Sequence, residues 1–156
     1  MINITTVSGA DEAPVNVTLH NIRSEEVFTM AAIIAKIGFA DAFKNADADM
    51  LTAIQYEKPD KPRKQWTKRE VEIDGEMNVK LQGFYGMFVG TIISNIATVK
   101  NDVITLLAQG TDNTTEFIKN LDADDFVDLL YAYIARDSFK DFFVRASKLA
   151  GAMKFL

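Results

Sequence analysis

LQGFYGMFVGTIISNIATVKNDVITLL, residues Leu81–Leu107, decides how this chain folds. Placed on a helix at roughly 100° per residue, Leu81, Tyr85, Phe88, Ile92, Ile96, Val99, Val103, Leu106 and Leu107 fall in one stripe of large apolar side chains. Gly83, Gly86, Gly90 and Ala97 fall opposite. Bulky knobs on one face and almost bare backbone on the other make this the central helix of a helical domain, open to close approach from both sides. Thr98 offers a cap at which a second helix starts. The glycine face is expected either to receive the first helix in close packing or to form a shallow groove for a partner helix, and close packing is the favoured reading.

The same stretch raises the question of a membrane span. Leu81 to Val99 carries no charge between Lys80 and Lys100, and Gly86 and Gly90 have the spacing of membrane helix pairs. Gln82, Thr91, Ser94, Asn95 and Thr98 oppose insertion, so a buried core helix is the better account.

Working outward, Val15, Val17 and Leu19 alternate with Asn16, Thr18 and His20, the period of a half-buried strand. Residues 1–22 are therefore expected to form a short strand or an extended arm. Ser24, followed by Glu25 and Glu26, reads as a helix start running to about Lys44. A shorter helix is expected over 47–56, with Met50, Leu51 and Ile54 facing in. Residues 58–70 change character, with Pro59, Pro62 and a run of cations around Trp66 breaking any helix into a mobile basic loop. Glu70–Asp74 reads as a strand ending at Gly75.

Past the central stretch, Gln109 and Gly110 are expected to end the helix, because glycine is the common residue just beyond a helix terminus. Asp112–Thr115 caps a short helix through Phe117 and Ile118. Asp122 opens another, with Phe126, Leu129, Leu130, Tyr133 and Ile134 as its stripe. Asp137 or Ser138 caps the last helix, whose stripe is Phe139, Phe142, Phe143, Ala146, Leu149 and Met153. The expected fold is mainly α: a single-domain bundle of five to six helices covering residues 1–156.

Composition narrows the function. With 156 residues, 48% of them apolar, and three prolines, the chain is long and apolar enough for one packed core. A net charge of −5 disfavours general affinity for nucleic acid or anionic membranes. The lack of cysteine removes disulfides, thiolate zinc sites and cysteine nucleophiles. The start, Met1–Asp11, has no signal-peptide pattern, so a cytoplasmic location is expected.

Motifs for chemistry are few. His20 stands alone, without the partners a catalytic or metal role needs. Asp122, Asp124, Asp125 and Asp128 suggest a calcium loop, but Val127 and Tyr133 occupy the positions where Gly and Glu are required. Gly83, Gly86 and Gly90 follow no strand and precede no Lys-Ser or Lys-Thr pair. No catalytic residue, metal site or cofactor is therefore assigned, and a non-enzymatic binding role is expected. Eleven phenylalanines and six methionines suit a surface that accepts apolar segments. The expected protein-binding residues are Phe139, Phe142, Phe143, Leu149, Met153 and Phe155. The alternative is a small regulator that binds nucleic acid through residues 58–69, with Lys61, Arg63 and Lys64 on phosphates and Trp66 stacked on a base. Glu57, Asp60 and Glu70 dilute that charge.

The run GTDNTTEFIKNLDADDFVDLLYAYIARDSFKDFFVRASKL, residues 110–149, resembles the tail assembly chaperones of long-tailed bacteriophages and prophages of Gram-positive bacteria. The shared features are the Gly110-Thr111 turn, the short helix over 114–120, Leu121-Asp122 at the next helix start, and Phe139, Phe142 and Phe143 in the last. Phe28–Phe39, with Lys36-Ile37-Gly38, is similar to the family's first helix. The resemblance implies a helical, non-enzymatic protein that binds the tape-measure protein during tail assembly in the host cytoplasm and is absent from the finished virion. It also implies a frameshifted longer form as the route to the major tail protein. It leaves a homo-oligomer open and calls for no membrane, nucleic acid or cofactor.

Overall fold

The computed structural model describes residues 3–6, 15–38, 48–136 and 138–149. Within them the order is β1 (Asn3–Thr6), β2 (Val15–Thr18), α1 (Ser24–Ile37), α2 (Ala48–Gln55), a 3-10 turn at Arg63–Gln65, α3 (Lys68–Ser94), α4 (Ile96–Thr111), α5 (Thr115–Lys119), α6 (Ala123–Ile134) and α7 (Phe139–Leu149). The fold is mainly α. The N-terminal arm is a two-stranded antiparallel ribbon, with Asn3 opposite Thr18 and Thr6 opposite Val15.

The central stretch breaks at Asn95, three residues before the expected Thr98. The cause is local. The Thr91 hydroxyl donates to the Met87 carbonyl, the Ser94 hydroxyl to Gly90 and the Asn95 amide to Thr91, each four residues back. Side chains that compete for helix carbonyls in this way bend and end helices. Asn95 leaves helical geometry at φ −110°, ψ 18°, and its carbonyl accepts the first amides of α4, from Thr98 and Val99.

Several boundaries move for equally local reasons. The strand expected over Glu70–Asp74 is helical and lies within α3, which starts earlier because Thr67 and Glu70 cap each other reciprocally. The loop expected over 58–70 therefore ends at Thr67. Gly110 does not end α4: the helix continues to Thr111, and Asp112 takes the left-handed turn at φ 54°. Glycine is needed at 110 because the Tyr133 ring lies 2.7 Å from where a Cβ would stand. The first helix ends at Ile37, where Gly38 adopts φ 89°. The part expected to run on to Lys44 falls beyond Gly38, outside the described residues.

The buried apolar side chains form one cluster. Helix α1 lies on α4 and α7, α2 on α3, and α6 on α3 and α4. Rings from α3 and α7 interlock edge to face, Phe84 with Phe143 at 5.3 Å, Phe88 with Phe143 at 5.0 Å and Tyr85 with Phe139 at 5.4 Å. The expectation that α1 packs on the glycine face of α3 is overturned. A Cβ at Gly86 or Gly90 would meet nothing within 4 Å, and at Gly83 only the end of Met50. The physical reason is that packing gains most where there is side chain to bury, so α3 turns its aromatic face inward.

Candidate functional site

An apolar opening lies beside the break at Asn95. Ile93 lies in the last turn of α3 and Ile96 begins α4, and both side chains border one groove of about 610 Å3. Ile104 continues the floor one helix face along, Ile118 of α5 closes one end, and Phe126 and Val127 of α6 form the far wall. Ile93 is 38% and Val127 41% exposed, and Tyr131, one turn on from Val127, is 44% exposed. Isolated exposed apolar residues need no explanation, but contiguous ones on a concave surface make a candidate interaction surface. Lys100 and Lys119 also line the groove, and Lys119 pairs with Glu116 at 3.5 Å.

The residues expected to bind a partner are distributed differently. Phe139, Phe142 and Phe143 are 0%, 4% and 1% exposed, at the centre of the aromatic cluster, so they are core and offer no docking surface. Their stripe on α7 is covered by α1 and α3, and among its described residues only Leu149 is exposed, at 53%. Met153 and Phe155 lie outside the described residues.

The basic loop is tied to α3. The Trp66 indole N–H donates to the Lys61 carbonyl at 2.9 Å, Lys61 pairs with Glu70 at 2.8 Å, and Arg63 approaches the buried Asp74 carboxylate at 3.4 Å. The Lys61 ammonium holds the Glu70 carboxyl below its usual range. Arg63 also lies over the Trp66 ring, 4.8 Å from its centroid. Lys61, Arg63 and Trp66 are thus engaged within the chain, while Lys64 is exposed. Beside this loop, burial pushes the Tyr56 phenol up, helped by Asp74, and Lys140 over the Tyr56 ring is pushed down by burial.

A third polar assembly was not anticipated from the sequence. It joins the end of the N-terminal arm to α1, α4 and α6. Glu26 is fully buried, caps the Arg23 backbone N–H at 2.8 Å and accepts from the Tyr133 hydroxyl at 2.9 Å. Burial and this carboxylate drive the Tyr133 phenol far above its usual range, so it stays a donor. The Arg136 guanidinium, itself pushed down by burial, lies 4.0 Å from the centre of the Tyr133 ring and donates to the carbonyls of Tyr133 and His20. Its Nη2 has no hydrogen-bond partner among the described residues. Arg23 grips Asp112 with two hydrogen bonds, at 2.8 and 3.0 Å, which hold that carboxyl below its usual range. The only sequence signal for this assembly is negative: Glu26 breaks an otherwise apolar inward face.

Among the described residues, no group of three or more His, Cys, Asp or Glu is placed to hold a metal ion. No helix among them is long and apolar enough to cross a membrane. The chain matches no protein-family model, no curated protein and no solved structure.

Proposed function

We propose that the protein is a non-enzymatic tail assembly chaperone that receives an apolar helix of the tape-measure protein in the groove between α4, α5 and α6. The observation that carries this reading is the groove itself, with Ile93, Ile96, Ile104, Ile118, Phe126 and Val127 around one concave surface. An amphipathic helix docks such a surface through apolar side chains spaced three and four residues apart. Covering the groove removes apolar area from water at roughly 25 cal/mol per Å2, and the reaction needs no cofactor. Lys100, which also lines the groove, favours a partner helix with an acidic residue beside its apolar face. In this reading the protein acts in the host cytoplasm and leaves before the virion is complete. A longer frameshifted form adds contact with the major tail protein.

The nucleic-acid alternative draws less support, because Lys61 and Arg63 already face carboxylates. It predicts a salt-dependent shift of DNA or RNA that disappears when Lys61, Arg63 and Lys64 are changed to Ala.

Co-expression with the tape-measure protein of the same genome tests the main reading. The two are expected to co-purify, and the double change Ile93→Asp, Val127→Asp is expected to abolish co-purification in a protein that remains folded. A soluble tape-measure protein that never associates with the chain would sink the idea.

A further inference from the structure

The polar assembly around His20 places both nitrogens of its ring against oxygens that can only accept. Nδ1 lies 2.6 Å from the Asn21 carbonyl and Nε2 lies 2.5 Å from the Gln109 carbonyl at the end of α4. A neutral imidazole has one N–H and one lone pair, so it satisfies one of these contacts and repels at the other; an imidazolium satisfies both. The backbone of the same residue is also engaged. The His20 N–H donates to the Gly110 carbonyl at 3.1 Å, and its carbonyl accepts from Arg136 at 2.6 Å.

The charges facing the ring come from every element around it. From the α1 side come the buried Glu26 carboxylate, 3.9 Å from Nδ1, and Arg23, which is occupied by Asp112. From the end of α4 come Asp112, 3.7 Å from Nε2, and the helix's last carbonyls, its negative pole. From the α6 side come Arg136, turned to the His20 carbonyl, and Tyr133, whose hydroxyl donates to Glu26. Two carboxylates and a helix C-terminus thus surround the ring, and the two guanidinium groups beside it already have anionic or carbonyl partners.

What this ring fastens is the arm. Val17 and Leu19 are 1% and 0% exposed, so the end of the arm is seated in the core directly before His20. We propose that His20 is a proton-operated clasp: as imidazolium it holds the N-terminal arm onto the ends of α4 and α6, and loss of its second proton loosens the arm and uncovers the apolar seat of Val17 and Leu19. The sign follows from the hydrogen bonds. The clasp is closed on the acid side and opens as pH rises, because deprotonation replaces one charge-assisted hydrogen bond by a contact between two lone pairs.

The chain has a single histidine, so its ring signals are unambiguous in nuclear magnetic resonance of the full-length, nitrogen-labelled protein. A series from about pH 5 to about pH 8, the range in which an imidazole changes charge, reads ring protonation and amide exchange together. Both ring nitrogens are expected to carry protons at the acid end. Protection of the His20 amide, corrected for the intrinsic pH dependence of exchange, is expected to fall by about tenfold as the second proton leaves, the size of a lost charged hydrogen bond. The His20→Gln protein is expected to lack that step. The proposal is overturned by a ring that keeps one charge state throughout, by protection that stays constant while the ring titrates, or by the same step persisting in His20→Gln. The partner is absent from this experiment, so its outcome is independent of what the groove binds.

Discussion

The aromatic layer between α3 and α7 and the groove between α4, α5 and α6 are built from the same kind of side chain, yet one is core and the other is surface. Phe139, Phe143 and Phe88 are covered from both sides by helices of this chain. Ile93 and Val127 have equal reason to leave water, and no element among the described residues covers them. The difference lies in the chain path. Helix α7 returns across α3 and seals the aromatic face. The short α5 reaches only one end of the opening made at Asn95, and the rest stays uncovered. An apolar stripe therefore says that a surface wants covering. Whether the cover comes from the same chain is decided by connections that lie elsewhere.

Substitutions separate the two regions most sharply where the core is tightest. Phe143→Ala removes a ring fully enclosed by Phe84, Phe88 and Phe139 and is expected to cost about 3–5 kcal/mol, read as a lower urea midpoint. Val127→Asp, in the groove, is expected to change stability by no more than about 0.5 kcal/mol, since its side chain is already 41% exposed. An equal loss at both sites would erase the distinction between core and groove.

Glycines give the next contrast. Gly110→Ala drives a methyl group into the Tyr133 ring beside Glu26 and is expected to cost about 1–3 kcal/mol. Gly86→Ala meets open space within an exposed helix face and is expected to stabilise by about 0.5–1 kcal/mol. Thermal unfolding of the two variants should move in opposite directions.

The smallest expected effect concerns acid. Asp112 is held below its ordinary value of 3.8 by Arg23, so its contribution is fully present above that value and is lost as pH falls through the lower folded value. Asp112→Asn is expected to reduce the acid dependence of the urea midpoint below about pH 4 and to leave the groove unaffected.

Much of the fold was legible because it rests on periodicity. The stripe from Leu81 to Leu107 predicted which side chains go inside, and all but the partly buried Ile96 are buried. The cap at Thr114, whose hydroxyl accepts from the Phe117 amide, was legible too because capping chemistry is local, and Asp122 marks the start of α6 although its side chain makes no cap hydrogen bond. What the sequence concealed depends on distant partners. Gly110 reads as a helix end until Tyr133, more than twenty residues on, is seen against it. Glu26 reads as a first-turn acid that suits the helix dipole, whereas its partner Tyr133 lies on α6. The stripe of Phe139, Phe142 and Phe143 reads more readily as core than as a docking face, but amphipathicity is identical in the two cases and does not separate them. The groove was concealed for the complementary reason: Ile93 sits at the margin of the main stripe, and its exposure follows from the bend at Asn95.

Isoleucine methyl resonances test the docking claim most directly, because they sample both regions at once. When helical segments of the tape-measure protein from the same genome are added to the methyl-labelled chain, the signals of Ile93, Ile96, Ile104 and Ile118 are expected to shift together in a saturable way. Those of Ile33 and Ile34, buried on α1, are expected to stay in place. Binding that leaves the four groove signals unmoved, or that shifts the α1 signals instead, would contradict the account.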